Sequence, residues 1–159
     1  AFTTGLVYLK SDGTPWRPIV HIEEISRAFL AAMEAPREAV HNQAINVGRT
    51  AENYRIRELA EIIVEVVPGS RLEFAPDAGP DTRNYRVDCS KIEQVLPAFQ
   101  PQWDARKGAI ECYETYKQVG LKLDDFEGER YRRILHLQKL MADGKVGPDL
   151  RPASLAVGV

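Results

Sequence analysis

The apolar positions change period several times along the 159 residues, and each change marks an element. Leu6-Val7-Tyr8-Leu9 reads as a short strand, Ser11-Asp12-Gly13-Thr14 as a turn, and Pro18-Ile19-Val20 as an extended piece that its proline holds open. Ile22, Ile25, Phe29 and Met33 then recur at helical spacing in an alanine-rich segment that Pro36 ends. Gln43 to Val47 is a β-prone run closed by Gly48. Asn53 is placed to cap a helix with the stripe Ile56, Leu59, Ala60, Ile63 and Val67, and Pro68-Gly69 stops it. Arg71 to Phe74 alternates as a half-buried strand does, and Asn84 to Val87 reads as extended. Ser90 is the expected cap of a short helix ending at Pro97. A helix from about Asp104 to Val119 rests on Ala109, Cys112, Tyr113 and Tyr116 with Gly120 as its stop, and a last helix from about Asp125 to Ala142 carries Tyr131, Ile134, Leu137 and Met141. Strands alternating with helices predict an α/β fold rather than a bundle.

Charge narrows the partners. Lysine and arginine number 21 against 23 acids, so the net charge is -2 and no global basic field draws nucleic acid or anionic membrane. Any anion must be met by locally placed arginines. The longest apolar runs, such as Ile62-Ile63-Val64, are too short to span a bilayer. Two cysteines, Cys89 and Cys112, without CxxC spacing point to a reducing compartment, and the chain is expected to be cytoplasmic. The opening Ala1-Phe2-Thr3-Thr4-Gly5 reads as the interior of a longer protein, and Pro152 to Val159 as a frayed or processed tail.

Arg17 is the first candidate for chemistry. Trp16 and Pro18 flank it and Pro15 lies one residue further back, so a guanidinium fork suited to phosphate or carboxylate is presented from a stiff backbone. The alternative is a plain surface ion pair. His21 with Glu23 and Glu24 has the composition of a metal or acid–base cluster. Glu24 shares a face with His21 only once the helix has begun, though, and no other histidine is near in sequence, so a structural junction is the preferred reading. No GxGxxG or GxxGxxG spacing occurs, hence no seat for a dinucleotide pyrophosphate is expected. Tyr113 and Lys117 match Tyr-x-x-x-Lys, but Tyr113 completes an amphipathic stripe and is assigned to the core. In "GPDTRNYRVDCSK", alternation puts Arg83 and Tyr85 on one face and Arg86 on the other, a possible wall for a sugar-phosphate pocket or a plain surface strand.

Taken in order, "DGTPWRPIVHIEE", "AINVG" and "DTRNYRVDCSKIEQVLPAFQP" resemble the C-terminal half of extended short-chain dehydrogenase/reductases, the NAD-dependent epimerase/dehydratase family acting on nucleotide sugars. The resemblance runs from about Leu6 to Gly120. It implies a substrate-binding α/β part, a small mixed sheet with several helices, over 1–123, followed by a helical extension and tail over 124–159. It also implies that the Rossmann half, with the NAD(P) loop and the catalytic tyrosine and lysine, lies outside this chain. No catalytic, cofactor or metal residue is then expected here.

By the same resemblance Arg17 reaches the substrate pyrophosphate, Asn46 lies beside that pocket and Tyr85 borders the sugar; the chain departs from the family in lacking a phosphate-clamping arginine at Ala75-Pro76-Asp77-Ala78, and Arg83 is the candidate to stand in for it. Glu24 stands where the family commonly has aspartate. The implied partners are a nucleotide sugar, the missing Rossmann domain and a second copy in a homodimer. A stand-alone, non-catalytic binding or scaffolding module is the alternative, favoured if the face turned toward the absent half is polar; a metal hydrolase using His21, Glu23 and Glu24 is a third.

Overall fold

The computed structural model describes residues 1–153 and divides the chain into two compact units, Ala1–Thr115 and Tyr116 onward. Beyond Ala153 the expected tail lies outside the described residues.

In the first unit, β1 (Leu6–Ser11) pairs in parallel with β4 (Arg71–Gly79), Leu6 opposite Arg71 and Leu9 opposite Phe74. The register slips between Leu9 and Ser11, so Ser11 faces Gly79 and β1 ends beside the loop that follows β4. A second ladder joins β2 (Trp16–Pro18) antiparallel to β3 (Asn53–Arg55), with Arg17 opposite Tyr54. The fold is mixed α/β, and its small sheet resolves into these two two-stranded ladders. The second extended piece therefore begins two residues earlier than its sequence suggests. Pairing with β3 decides this, and past its end the Ile19 N–H donates to the Glu52 carbonyl at 2.9 Å.

The core gathers Ala28, Ile92, Leu96 and Phe99 between α1 (Ile22–Glu34), the single turn α2 (Arg37–Val40) and α4 (Ser90–Val95). Here the expected stripe of α1 is corrected. Ala28, with Ala31, Ala32 and Ala35, faces the core, whereas Phe29 and Met33 are 69% and 82% exposed and Ile22 is 68% exposed. The helix is apolar on two sides, and the smaller residues allow the closer approach.

Gln43 to Val47 forms no ladder. Ile45 and Val47 lean on the core, but the run meets no partner strand among the described residues, and the Ala44 carbonyl takes the Lys91 ammonium at 2.9 Å instead. Asn84 to Val87 is likewise unpaired. It is held by Asn53, whose side chain accepts from Val87 N at 2.8 Å and donates to the Val87 and Thr50 carbonyls. Asn53 is thus a brace inside β3 and not a helix cap. α3 (Ile56–Val66) starts two residues later, capped at Arg55, where the Glu58 carboxylate accepts the Arg55 N–H at 2.6 Å. At α4 the side chain of Asp88, two residues before the expected cap, accepts Ser90 N at 2.8 Å.

α5 (Ala105–Gln118) begins where Asp104 accepts Lys107 N at 2.8 Å and Glu52 accepts Ala105 N at 3.0 Å. Glu52 also takes the Tyr54 hydroxyl at 2.8 Å, and burial followed by this bond pushes the Tyr54 phenol up to about 12. Contrary to its predicted stripe, α5 buries no residue fully; Cys112 and Tyr116 are exposed. In the second unit the last helix is broken into α6 (Leu123–Glu127) and α7 (Arg133–Ala142). Gly128 ends α6 in extended backbone, where an added Cβ would run into the Asp124 carbonyl oxygen. Among the described residues no helix is long and apolar enough to cross a membrane.

Candidate anion site

Arg17 sits mid-strand in the β2–β3 ladder, just after the fully buried Pro15, so its Cα is fixed by pairing and by packing. Its half-buried guanidinium donates from Nη1 to the Trp16 carbonyl at 2.7 Å and from Nη2 to Asp81 Oδ2 at 3.1 Å. The Tyr85 ring stands beside it, 5.2 Å from Cζ to the ring centroid. Arg83 approaches the same aspartate, donating from Nη2 to Oδ2 at 2.9 Å and from Nε to Oδ1 at 3.2 Å. The Arg83 backbone N–H also donates to Oδ1 at 2.9 Å, a local turn that fixes the carboxylate against its own loop.

The hydrogen bonds from the Arg83 side chain first, and its backbone N–H second, hold the Asp81 carboxyl down to about 2. The charges of Arg83 and Arg17 act in the same direction. These groups line an open cleft of about 620 Å³ that also receives Lys10 and Ser11 from β1, Ile56 from the start of α3, and Asp77 from β4. Three cations thus face two carboxylates in one hollow.

Three of the four expected site residues, Arg17, Arg83 and Tyr85, therefore come together, and Arg86 turns away to stack on Trp16 at 4.6 Å. Asn46 does not join them. It lines a separate hollow of about 220 Å³ with Val20 and Cys89, and donates to the Asp88 carbonyl at 2.9 Å. Burial, ahead of the charges of Asp88 and Glu93, pushes the Cys89 thiol up. Lys10 and Asp81 are the site residues that sequence reasoning missed. The Asp-x-Arg spacing of Asp81 and Arg83, ready for a side-chain turn, was the available signal.

The acidic helix start is built differently. His21 caps α1, its Nδ1 accepting Glu23 N at 3.2 Å, while Nε2 meets Glu111 at 2.6 Å and the ring stacks on Trp103 at 3.8 Å. Glu23 accepts the Trp103 indole N–H at 3.0 Å. Glu24 is buried and accepts two backbone N–H groups, Gln102 and Trp103, the latter at 2.8 Å. Among the described residues no group of three or more His, Cys, Asp or Glu could hold a metal ion.

Tyr113 is half-buried, its ring edge-on to Phe2 at 5.8 Å, and it does not line the cleft. Tyr113→Phe keeps that ring contact and is expected to leave ligand binding within twofold of wild type, as read by calorimetric titration. The positive-φ glycines serve other ends. Gly13 lets the turn pass Arg57, whose Cβ would lie 2.8 Å from an added methyl, and Gly69 and Gly120 follow helix ends. Among the described residues none of these glycines belongs to a glycine-rich turn that joins a strand directly to an α-helix, the form a dinucleotide loop takes.

Residues 3–48 match the model of the NAD dependent epimerase/dehydratase family. Among solved structures, a GDP-6-OMe-4-keto-L-xylo-heptose reductase from C. jejuni superposes with a TM-score of 0.60 at 24% identity, over 72% of this chain and 34% of that one. A UDP-glucuronic acid 4-epimerase from Bacillus cereus, solved with UDP-glucuronic acid and NAD, gives 0.57 at 22%, over 70% and 35%. An L-threonine dehydrogenase from Phytophthora infestans gives 0.59 at 14%, over 72% and 38%. The chain spans about a third of the length of these proteins, and the likeness establishes their shared fold. The resemblance to extended dehydrogenase/reductases of the epimerase/dehydratase type is borne out.

Proposed function

We propose that this chain is the substrate-binding part, over 1–123 with 124–159 appended, of an NAD-dependent nucleotide-sugar epimerase/dehydratase, and that Arg17 and Arg83 hold the substrate pyrophosphate. The observation that carries it is the convergence of two guanidiniums and Lys10 in one cleft, with the exposed Tyr85 ring beside the Arg17 guanidinium. Two planar donor forks suit the paired anionic groups of a diphosphate, and an aromatic face suits the sugar beside it. An amino-acid substrate, as the name of the threonine dehydrogenase indicates for that protein, would call for one cation and one carboxylate at amino-acid spacing; the arginine pair favours the diphosphate.

In this reading NAD is bound outside the chain and supplies the oxidation and return of hydride. The chain's own residues bind and orient: Arg17 and Arg83 neutralise charge, and Tyr85 borders the sugar. The apolar outer face of α1, Ile22, Phe29 and Met33, supports a part that is completed by another domain over a stand-alone module, whose corresponding face would be polar. The intact enzyme is proposed to be a cytoplasmic homodimer.

The test is Arg17→Ala. Losing a charge-assisted fork is expected to weaken binding of a nucleoside-diphosphate sugar by about 1.5–3 kcal/mol. Arg17→Lys should recover part of this, because a point charge does not reproduce the fork. Isothermal titration reads both; unchanged affinity in folded Arg17→Ala would remove the pyrophosphate assignment.

A further inference from the structure

The arginine pair is not free. Asp81 lies between the two guanidiniums, its Oδ2 accepting from Arg17 at 3.1 Å and Arg83 at 2.9 Å and its Oδ1 from Arg83 Nε at 3.2 Å. A carboxylate that only supported the arginines would pair with edges turned away from the cleft. Asp81 instead lines the same hollow as both of them and takes the donors that a phosphate oxygen would take. It stands on the loop after β4, next to Pro80 and two residues from Arg83, so it can leave without unpairing either ladder.

We propose that Asp81 is an intramolecular competitor for the anion site, which a ligand must displace, and that it thereby determines which anions the site accepts. The proposal rests on the reading of Arg17 and Arg83 as anion ligands. With Asp81 in place the cleft holds Lys10, Arg17 and Arg83 against Asp77 and Asp81, three positive groups less two negative, a surplus of one. A ligand with a single phosphate exchanges one anion for another and gains little. A diphosphate brings a second charged group, engages both forks at once and outcompetes the aspartate. The Arg83 pair is open to solvent and weak, and the Arg17 pair is half-buried and firmer, so the barrier is low enough for a well-matched ligand and selective against a poor one.

The experiment is calorimetric titration of the full 159-residue chain with inorganic pyrophosphate and with inorganic phosphate. Wild type is compared with Asp81→Asn, which keeps an oxygen for the Arg83 turn, and with Asp81→Ser, a second variant that also keeps an acceptor. Thermal melting followed by circular dichroism verifies folding. Removing the competing carboxylate is expected to tighten pyrophosphate binding about five- to tenfold, the scale of one exposed and one half-buried ion pair, and phosphate binding by more. Preference for the diphosphate therefore narrows. Adding Arg17→Ala to Asp81→Asn should cancel the gain.

Unchanged or weaker binding in folded Asp81→Asn and Asp81→Ser, with Arg17→Ala still damaging, overturns the competitor and leaves the anion reading standing. A gain that survives Arg17→Ala also overturns it, as a general charge effect. Absence of binding of either anion to any variant overturns both. Loss of fold in both Asp81 variants counts against the proposal, since a displaceable side chain is not a structural support.

Discussion

Truncating Ile92 to alanine is expected to destabilise the chain by about 2–5 kcal/mol, the range for removing a buried aliphatic side chain and leaving part of its volume empty. Ile92 is 1% exposed and sits where α4 meets Ala28 of α1, Leu96 and Phe99. The alanine face of α1 cannot expand into the void, because its side chains carry no further atoms and the helix is held at its start by the His21 cap and Glu24. Urea unfolding measures the change. A conservative Ile92→Val should cost about 0.5–1.5 kcal/mol; a similar loss in both variants would contradict a packing origin.

The second large effect is expected at Glu24. Its carboxylate is the acceptor for the backbone N–H groups of Gln102 and Trp103, which approach from 78 and 79 residues away and bring the start of α5 against α1. Glu24→Ala leaves both donors without that acceptor in a buried setting, at a cost of about 2–4 kcal/mol. Glu24→Gln retains an amide oxygen for them and should lose less than half as much. If glutamine proved as damaging as alanine, the charge and not the acceptor geometry would hold the junction. Glu24 Oε2, by contrast, is buried with no hydrogen-bond partner among the described residues.

How far the sequence speaks depends on whether a feature is local. The helical periods of α1, α3 and α5, the stops at Pro36 and Pro68-Gly69, and the strand at Leu6 were legible because spacing and backbone-restricting residues act within a turn or two. The side of α1 that packs was not. Ile22, Phe29 and Met33 and the alanines are both apolar arcs, and only the neighbours Ile92, Leu96 and Phe99, about 60 residues on, select the alanines. Gln43 to Val47 has the composition of a strand, but a strand needs a partner, and propensity does not supply one. The break at Gly128 hides within a periodic pattern that continues on both sides of it.

The candidate site divides in the same way. Arg17 was legible from its stiff neighbours, and Arg83 with Tyr85 from their alternation. Their meeting depends on β2 pairing with β3 and on Asn53 fixing Val87, contacts that span 34 residues and more. Asp81 was invisible as a ligand competitor because Pro-Asp-Thr-Arg reads as a turn, which it also is. Asn46 shows the limit of a motif: its segment matches, yet its side chain braces Asp88 at a different hollow.

The measurement that bears most directly on the account is a nuclear magnetic resonance titration of the 159-residue chain with UDP-glucose, following the arginine side-chain Nε–H signals. The account predicts that Arg17 and Arg83 shift together and saturably, while Arg71 and Arg106, paired with Glu73 and Glu65, stay in place. Shifts confined to Arg55 and Arg86 around Trp16, or no shift at any arginine, would contradict it.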